Sequence, residues 1–342
     1  MLSMVTLRKF IEKINTIGKF PPAIRYEEPM SRHTTFKVGG KADVWVRPGK
    51  DIFPSYAEEL LKTAKEEGIP VFILGAGANI VVSDMGIRGI VLDTGRYRGI
   101  SKRKDKVIKG QNASYNASKE AETQKVGQRA ACFSVSVLSG TPVDGLAFSM
   151  AERGLSGLEF IAGMPGSVGG AVWMNARCYG KSISDVLLET EILDENFERQ
   201  TVPFRPEDFA YKKSPFQSRK VLILGARLLV KLGESSYIHK EISSYRMDRD
   251  EKGHYRFPSA GSAFKNNHDF GDPTGKIIDQ LGLRGFSIGG AQIAPWHGNI
   301  IINTGNASAN DIKSLMGELA RRVKNERGFD LESEILFVGD WG

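Results

Sequence analysis

Two glycine-rich segments most constrain how this chain can fold. The stretch 157–180 holds four glycines within eight residues: Gly163, Gly166, Gly169 and Gly170. Glycine loses much conformational freedom on folding, a cost that a plain loop has no reason to bear, and it lets a backbone pass close to a bulky ligand. A second segment, 75–79, reads Gly-Ala-Gly-Ala-Asn after an apolar run. Two such segments favour a long ligand with both a pyrophosphate and a ring, such as a large nucleotide cofactor.

The 75–79 segment is not a Rossmann fingerprint. The third glycine of that motif would fall at position 80, where the chain has Ile80, and another apolar run follows in place of a helix. What is left is a glycine turn whose N–H groups could bind a phosphate. A tight turn between two strands, without a ligand, is an alternative.

Length and composition exclude several classes of protein. A chain of 342 residues exceeds what one hydrophobic core usually supports, which predicts two or three domains. No apolar run approaches the roughly 18 residues of a membrane span, and the first 20 residues lack the apolar core of a signal peptide. Two cysteines, Cys132 and Cys178, are too few for a disulfide framework or a zinc site. We therefore expect a cytoplasmic protein without a metal.

The positive net charge of +7 is concentrated in one place. The segment 101–129 carries eight basic residues against three acidic ones and almost no aromatic residues. This composition is more typical of a solvated insertion than of a nucleic-acid groove. We expect no nucleic-acid partner.

Local patterns predict an α+β fold. Helices and strands are mixed without a βαβ rhythm. Leu60, Leu61 and Ala64 share one face of a predicted helix over 56–68. A second helix is predicted to begin at Ser308, with Asp311 completing its cap, and the run 333–339 is predicted to be a strand.

A third helix start is predicted near the second glycine-rich segment. Thr141 is expected to cap it, Pro142 to take its first position, and Asp144 to return a bond to the cap. The helix is expected to run to Gly154.

Six blocks of the sequence together resemble one enzyme family, the UDP-N-acetylenolpyruvoylglucosamine reductases, also called UDP-N-acetylmuramate dehydrogenases. They occur in the family's order and cover nearly the whole chain apart from about 101–130. The blocks are RHTTFKVGGKAD (32–43), ILGAGANIVVSD (73–84), GLEFIAGMPGSVGGAVWMNA (157–176), PSAGSAFKN (258–266), IIDQLGLRGFSIGGAQIAPWHGNIIIN (277–303) and LESEILFVG (331–339).

The resemblance implies a fold and its domains. It implies a two-subdomain FAD-binding module of the vanillyl-alcohol-oxidase type, with subdomains at 1–93 and 94–233, followed by an α+β substrate domain at 234–342. The basic insertion would lie in the second subdomain. The short spacing between AYKKS and PSAGS is similar to the family's second type, which lacks a substrate-capping loop.

The resemblance also implies a reaction. NADPH would reduce a non-covalently bound FAD, which would pass hydride to the enolpyruvyl C=C bond of UDP-N-acetylglucosamine enolpyruvate. The product, UDP-N-acetylmuramate, is a peptidoglycan precursor. The family site needs a proton donor at one carbon and positive charge or strong donors at the substrate carboxylate.

Ser262 matches the family's proton donor. As an acyl nucleophile it lacks support, because the Gly-x-Ser-x-Gly elbow is absent and only His254 and His268 stand near it in sequence. Gly261 and Ala260 would let the substrate approach closely. A plain turn serine is the alternative.

Two further positions match catalytic residues of the family. Glu334 matches the glutamate that polarises the substrate carboxylate, although an exposed strand carboxylate is the alternative. The family's Tyr-Arg-x-Ser is here Tyr211-Lys212-Lys213-Ser214, so a point charge replaces a guanidinium fork. Lys212 is the predicted third catalytic residue, with Lys213 as the alternative after a shift in register.

The resemblance assigns binding residues as well. Predicted substrate contacts are Tyr211, Lys252, Asn266 and His297, although Gly253-His254 after Lys252 departs from the family's Gln-Pro. Predicted cofactor contacts are Thr35, Gly75, Ala76, Gly77, Ala78, Asn79, Gly163, Gly166, Ser167, Gly169, Gly170 and Asn175.

Two other functions share part of this pattern. An FAD-dependent sugar or alcohol oxidase of the same fold would share the glycine-rich segments but not the set Ser262, Glu334 and Lys252. A non-catalytic flavin-binding relative would be consistent with the lysine at position 212.

Overall fold

The computed structural model describes residues 4–15, 21–101 and 132–342. The basic segment 101–129, apart from Ser101, lies outside these residues. The α-helices are α1 (Met4–Ile14), α2 (Phe53–Glu66), α3 (Val143–Ala151), α4 (Val168–Met174), α5 (Ser235–Glu251), α6 (Thr274–Gln280) and α7 (Ala309–Arg327).

The strands follow the chain from one terminus to the other. They are β1 (Ala23–Pro29), β2 (Lys41–Arg47), β3 (Val71–Leu74), β4 (Ile80–Val82), β5 (Ile87–Asp93), β6 (Ile100–Ser101), β7 (Cys132–Leu138), β8 (Leu155–Ser156), β9 (Arg177–Cys178), β10 (Lys181–Ser182), β11 (Leu187–Leu193), β12 (Arg199–Pro203), β13 (Leu222–Leu232), β14 (Ser259–Ser262), β15 (Ser287–Ile288), β16 (Ala291–Ile293), β17 (Ile300–Asn303) and β18 (Leu336–Val338).

The chain forms two compact units. Unit 1 comprises Met1–Arg47, Thr63–Asp93 and Met247–Gly342, and unit 2 comprises Pro48–Lys62 and Thr94–Arg246. These units reflect contacts within the chain, whereas the predicted domains are defined by the ligand that each would bind. The division into functional domains at 93/94 and 233/234 therefore stays a prediction.

Unit 1 joins the start of the chain to its end. One sheet has the strand order β1-β2-β5-β3, a second has β14-β17-β16-β15, and β4 pairs in parallel with β18. Phe36, Val38 and Val81 pack in the same hydrophobic cluster as the buried face of α7. Asp84 accepts hydrogen bonds from the N–H groups of Ala309 and Asn310 at the start of that helix.

Unit 2 is built on a six-stranded antiparallel sheet. Its order is β12-β11-β13-β7-β6, with β8 paired to β13. The sheet, α3 and α4 contribute to one hydrophobic cluster that includes Val137, Leu146, Val172 and Leu228. Since strands and helices are not arranged as repeated βαβ units, the α+β prediction is confirmed.

The strongest local predictions are confirmed. The Ser308 side chain accepts the Asp311 N–H at 3.0 Å, and Asp311 accepts the Ser308 N–H at 2.9 Å, which completes a capping box. The apolar residues that recur at helical spacing along it are buried: Ile312, Leu315, Met316, Leu319 and Val323. Of the helices in the described ranges, none combines the length and apolarity that crossing a membrane requires.

The predicted cap of α3 is wrong. Pro142 occupies the cap position, and the helix runs from Val143 only to Ala151. The Thr141 hydroxyl instead accepts the Gly99 N–H at 3.0 Å. Asp144 does not return to the cap but accepts the Gly163 N–H at 2.6 Å. Both side chains have tertiary partners, and these prevail over the local capping preference.

Candidate active site

The 75–79 turn in unit 1 joins β3 to β4, as the exclusion of a Rossmann helix predicts. Gly77 has φ of +63°, and a Cβ there would lie 2.0 Å from the His33 carbonyl oxygen, so no larger residue fits. The Thr35 N–H donates to the Gly77 carbonyl at 3.1 Å. Because a trans peptide points its N–H opposite to its C=O, the Ala78 N–H faces away from Thr35.

The two sides of the turn therefore differ: its carbonyl side contacts the protein, and its N–H side is available to a ligand. Thr35 occupies the carbonyl side, and the Ala78 N–H donates to none of the described residues. An N–H group presented in this way can bind an anion such as a pyrophosphate. Thr35 supports the turn from the carbonyl side, and its direct contact with a cofactor stays a prediction.

Asn79 connects this turn to Glu334. Its side-chain Nδ2 donates to the Glu334 carbonyl at 2.9 Å, and its own carbonyl accepts the Leu336 N–H at 3.0 Å. The parallel pairing of β4 with β18 follows immediately. The side-chain amide of a residue predicted to contact cofactor thus holds the backbone of a predicted catalytic residue.

Ser262 and Glu334 lie on neighbouring extended segments of unit 1. The Glu334 N–H donates to the carbonyl of Ala263, the residue after Ser262, at 2.9 Å. Phe264 and Ser333 form an antiparallel bridge beside it. The chain therefore brings together two predicted catalytic residues that are 72 positions apart in the numbering.

The surroundings of these two side chains differ. The Ser262 hydroxyl is half-buried and has no hydrogen-bond partner in the described part of the chain. A Cβ added at the preceding Gly261 would meet nothing within 4 Å, so there is open space beside the serine. Glu334 is only 8% exposed. A plain turn and an exposed strand carboxylate, the two alternatives, do not describe these positions, since Ser262 ends a paired strand and Glu334 is buried.

His297 is set up as a hydrogen-bond donor. The Asn299 N–H donates to its Nδ1 at 3.1 Å, so in the neutral ring the proton is on Nε2. Burial lowers the pKa of His297, which favours this neutral form.

The environment of His254, also in unit 1, is similar. Burial, followed by the charges of Arg249 and His297, lowers its pKa to about 4.

Two other predicted substrate residues already have partners in the protein. Lys252 Nζ forms an ion pair with Asp248 at 2.8 Å, on the exposed surface. Asn266 Oδ1 accepts the Thr274 N–H at 2.9 Å at the start of α6, which is a structural role. Substrate contacts at both positions stay predictions, and Lys252 would have to exchange Asp248 for the ligand.

The second glycine-rich segment lies in unit 2 and leads into α4. Ser167 caps this helix, its hydroxyl accepting the Gly170 N–H at 3.4 Å. The Gly169 N–H donates to the Ser139 carbonyl at 2.8 Å, and a Cβ at Gly169 would lie 2.9 Å from Ser139 Cβ. A close contact with Ser139, the residue after β7, therefore accounts for one glycine without a ligand. The cofactor contacts of the other positions stay predictions.

The C-terminal end of α4 is hydrogen-bonded to the segment 210–214, which carries the predicted catalytic residue Lys212. Asn175 is 3% exposed; its Nδ2 donates to the Ala210 carbonyl at 2.9 Å, and its Oδ1 accepts the Ser184 N–H at 3.0 Å. Both groups of its amide are therefore bound to the protein backbone. Ala210 and Lys213 pair with each other, which leaves Tyr211 and Lys212 at the tip of a tight hairpin.

Comparison with known proteins agrees with this arrangement. Residues 55–201 match the FAD binding domain family, and residues 253–338 match the family described as UDP-N-acetylenolpyruvoylglucosamine reductase, C-terminal domain. The UDP-N-acetylenolpyruvoylglucosamine reductase of Borrelia garinii subsp. bavariensis is 37% identical, and the alignment covers 97% of each chain. The chain belongs to the UDP-N-acetylenolpyruvoylglucosamine reductase family.

Other members of this reductase family support the same conclusion. The reductase of Treponema denticola is 38% identical, over 93% of this chain and 94% of that protein. The crystal structure of the reductase from Thermus caldophilus matches with a TM-score of 0.66 and 30% identity, over 92% of this chain and 98% of the other. The resemblance in the six sequence blocks is confirmed, and so is the two-part fold of an FAD-binding module with a reductase C-terminal domain.

One residue of this reductase was missed in the sequence. Gln217 Nε2 donates to the Lys212 carbonyl and to the Trp173 carbonyl, each at 3.0 Å. It stands three residues after Ser214, whose hydroxyl donates to the same Trp173 carbonyl at 2.6 Å. A polar residue so close to Tyr211-Lys212-Lys213-Ser214 was the available signal.

Proposed function

We propose that this chain catalyses the NADPH-dependent, FAD-mediated reduction of UDP-N-acetylglucosamine enolpyruvate to UDP-N-acetylmuramate, for peptidoglycan precursor synthesis. The observation that carries the proposal is the hydrogen bond from the Glu334 N–H to the Ala263 carbonyl. It sets the half-buried Ser262 beside the buried Glu334, and this pair distinguishes the reaction from that of an oxidase on the same fold.

The cofactor would be held by both glycine-rich segments. We assign the pyrophosphate to the 75–79 turn, where the Ala78 N–H faces away from Thr35. We assign the ribityl chain and ring to Gly163, Gly166, Ser167, Gly169 and Gly170. When bound, FAD accepts hydride from NADPH and supplies it to the terminal carbon of the enolpyruvyl C=C bond.

The protein then has to manage the electrons of that bond. As the terminal carbon gains a hydrogen, the π electrons move toward the neighbouring carbon and the substrate carboxylate, which becomes enolate-like. By the family resemblance, the Glu334 carboxyl group would polarise the substrate carboxylate, and Lys212 would stabilise this charge with it as a preorganised partner. The Ser262 hydroxyl would donate its proton to the neighbouring carbon and recover one from solvent, which completes the reduction.

The hairpin supports Lys212 over Lys213 as the cation. Lys212 is half-buried at the tip, whereas Lys213 is exposed and its backbone pairs with Ala210. A shift in register would break both backbone hydrogen bonds of that pair. An ammonium gives charge without the two-pronged geometry of a guanidinium, so its placement depends more on the backbone that carries it.

The remaining assignments extend the same proposal. Tyr211, Lys252, Asn266 and His297 would contact the nucleotide-sugar, with His297 donating through Nε2. The chain would be of the family's second type, without a substrate-capping loop. A cytoplasmic location is supported by the substrates, because NADPH and nucleotide-sugars are soluble cytoplasmic metabolites.

The test separates the two halves of the reaction. Purified protein reconstituted with FAD is mixed with NADPH in the absence of oxygen, and the visible absorbance of the flavin should bleach. Adding UDP-N-acetylglucosamine enolpyruvate, still without oxygen, should restore the absorbance with formation of UDP-N-acetylmuramate.

Two other outcomes would overturn the proposal. Recovery of colour only on admitting oxygen would indicate an oxidase. Protein that binds FAD but is reduced by no nicotinamide nucleotide would indicate a non-catalytic relative.

A further inference from the structure

Lys212 is held in a backbone conformation that lysine rarely adopts. Its φ is +56°, in the left-handed region. The Lys213 N–H donates to the Ala210 carbonyl at 3.0 Å, and the Ala210 N–H donates to the Lys213 carbonyl at 3.2 Å. A positive φ at the third position of such a turn is the feature of type II, where glycine or asparagine is usual. A lysine there costs free energy, and the conformation persists only if its surroundings impose it.

Side-chain amides impose this conformation from both sides. Gln217 Nε2 donates to the carbonyl of Lys212 itself at 3.0 Å. Asn175 Nδ2 donates to the Ala210 carbonyl, two residues earlier, at 2.9 Å. Both amides are attached to the C-terminal end of α4. Gln217 donates to the Trp173 carbonyl in the helix, and Asn175 is the residue that directly follows the helix.

The anchor itself is rigid. Asn175 also has a left-handed φ, +45°, and its Oδ1 accepts the Ser184 N–H, so its side chain cannot turn without losing a backbone partner. The Trp173 carbonyl accepts both Gln217 Nε2 and the Ser214 hydroxyl. The hairpin is therefore fixed to the helix at Ala210, Lys212 and Ser214, before, at and after its tip.

We propose that Gln217 and Asn175 are positioning residues, which hold Lys212 in its strained turn so that its ammonium is preorganised for the substrate carboxylate. This inference rests on the function proposed above. A lysine side chain has four rotatable bonds and a single charge at its end, so its charge is placed well only if its backbone is fixed. Backbone strain that is stored beside a reacting group is typical of such preorganisation.

Gln217→Met is the decisive variant, because methionine is close in size to glutamine and donates no hydrogen bond. Flavin reduction by NADPH should stay within about twofold, while reoxidation by the enolpyruvyl nucleotide should slow by about 10- to 100-fold, as expected for a misplaced catalytic group. The substrate concentration at half-saturation should change much less than the rate. Gln200→Met, in β12 of the same unit, is the matched control, since Gln200 also donates a side-chain bond, to Asp194.

Lys212→Gly tests the strain itself. Glycine adopts a positive φ freely, so the variant should have a thermal midpoint about 1–4 °C higher than the wild type, together with slower reoxidation. A merely structural turn residue would not raise stability and lower the rate together.

The double variant decides whether Gln217 acts through Lys212. Adding Gln217→Met to Lys212→Gly should slow reoxidation no further. An equal slowing in both backgrounds would overturn the proposal, as would a lower midpoint for Lys212→Gly. Gln217→Ser, too short to bridge the two carbonyls, gives the same readout if the methionine variant does not fold. Failure of wild-type protein to be reoxidised by substrate would instead overturn the proposed function.

Discussion

The two glycine-rich segments end in the same way but support different kinds of site. Each contains, after its glycine cluster, an asparagine whose Nδ2 donates to a backbone carbonyl at 2.9 Å: Asn79 to Glu334 in unit 1, and Asn175 to Ala210 in unit 2. In unit 1 the predicted catalytic residues lie on extended, hydrogen-bonded backbone. In unit 2 the predicted catalytic lysine lies at the tip of a strained hairpin.

The difference shows two ways of fixing a reacting group. Ser262 and Glu334 are placed mainly by main-chain hydrogen bonds at and beside β14, with one side-chain amide, that of Asn79, on the Glu334 carbonyl. Around Lys212 the main chain contributes the two bonds between Ala210 and Lys213, and two side-chain amides, those of Asn175 and Gln217, complete the support of the tip. We expect unit 1 to lose activity when the reacting side chains are changed, and unit 2 to be sensitive as well to residues that touch no substrate.

The largest effect is expected at Ser262. Ser262→Ala removes the proposed proton donor while the paired backbone keeps its place. Reoxidation of the flavin by substrate should slow by about 10⁴-fold, the upper part of the range for general acid catalysis. Reduction by NADPH, followed by stopped-flow absorbance, should be nearly unchanged. Ser259→Ala in the same strand is the control; equal losses in both half-reactions would show that the serine is structural.

Glu334→Met should have the next largest effect. The variant keeps the length of the side chain and the backbone bonds to Ala263 and Asn79 but loses the carboxyl group and has no hydrogen-bond donor. We expect reoxidation to slow by about 10²- to 10³-fold, as for loss of one preorganised donor. Glu332→Met is the matched control; Glu332 has an exposed carboxylate that pairs with Lys265, and this variant should behave as wild type in the same assay. A loss below tenfold at Glu334 would assign the polarising role to another group.

Sequence predicts best those features whose determinants are local. The capping box at Ser308 and the buried stripe of α7 depend on residues within a few positions of one another, so periodicity and capping chemistry were enough. The strand-turn-strand at 75–79 followed likewise from the absence of a third glycine. Ser262 and Glu334 came from the family blocks, and the structure adds that they are neighbours.

The features that sequence did not predict depend on distant contacts. Nothing near Thr141 in the sequence indicates that its hydroxyl will accept the Gly99 N–H. The hydrogen bond between Asn79 and Glu334 joins residues that are 255 positions apart in the sequence. Lys212 has a positive φ although it is not a glycine, so its sequence gives no sign of that conformation. The family resemblance assigned both asparagines to the cofactor, whereas their side-chain amides bind the protein backbone.

The two asparagines offer a direct test of the comparison. Asn175→Ala leaves the Ser184 N–H and the Ala210 carbonyl without their side-chain partner and puts alanine at a positive φ. The free energy of unfolding should fall by about 2–4 kcal/mol. Asn79→Ala loses the side-chain bond to the Glu334 carbonyl and should cost about 1 kcal/mol. Urea denaturation measures both, with the exposed Asn196→Ala as control. Equal losses of unfolding free energy would show that the Asn79 and Asn175 side chains stabilise their units to the same extent.

Acid should act on unit 1 through His254. Its folded-state pKa is lowered to about 4 from an ordinary 6.5, chiefly by burial and then by Arg249, His297 and Lys252, with Asp248 opposing. Between these values the unfolded chain binds more protons than the folded one. Stability is therefore complete above about pH 6.5 and falls as the pH drops toward 4.

This acid effect on the free energy of unfolding is expected to be smaller than that of Asn175→Ala. The histidine is partly solvated, so we expect a loss of about 1–2 kcal/mol by pH 4.5. His254→Asn should reduce the difference in unfolding free energy between pH 7.5 and pH 4.5, measured by urea titration, whereas the exposed His268→Asn should leave it as in the wild type. An unchanged difference in His254→Asn would mean that the ring is already solvated enough to accept its proton, and that acid does not distinguish unit 1 from unit 2.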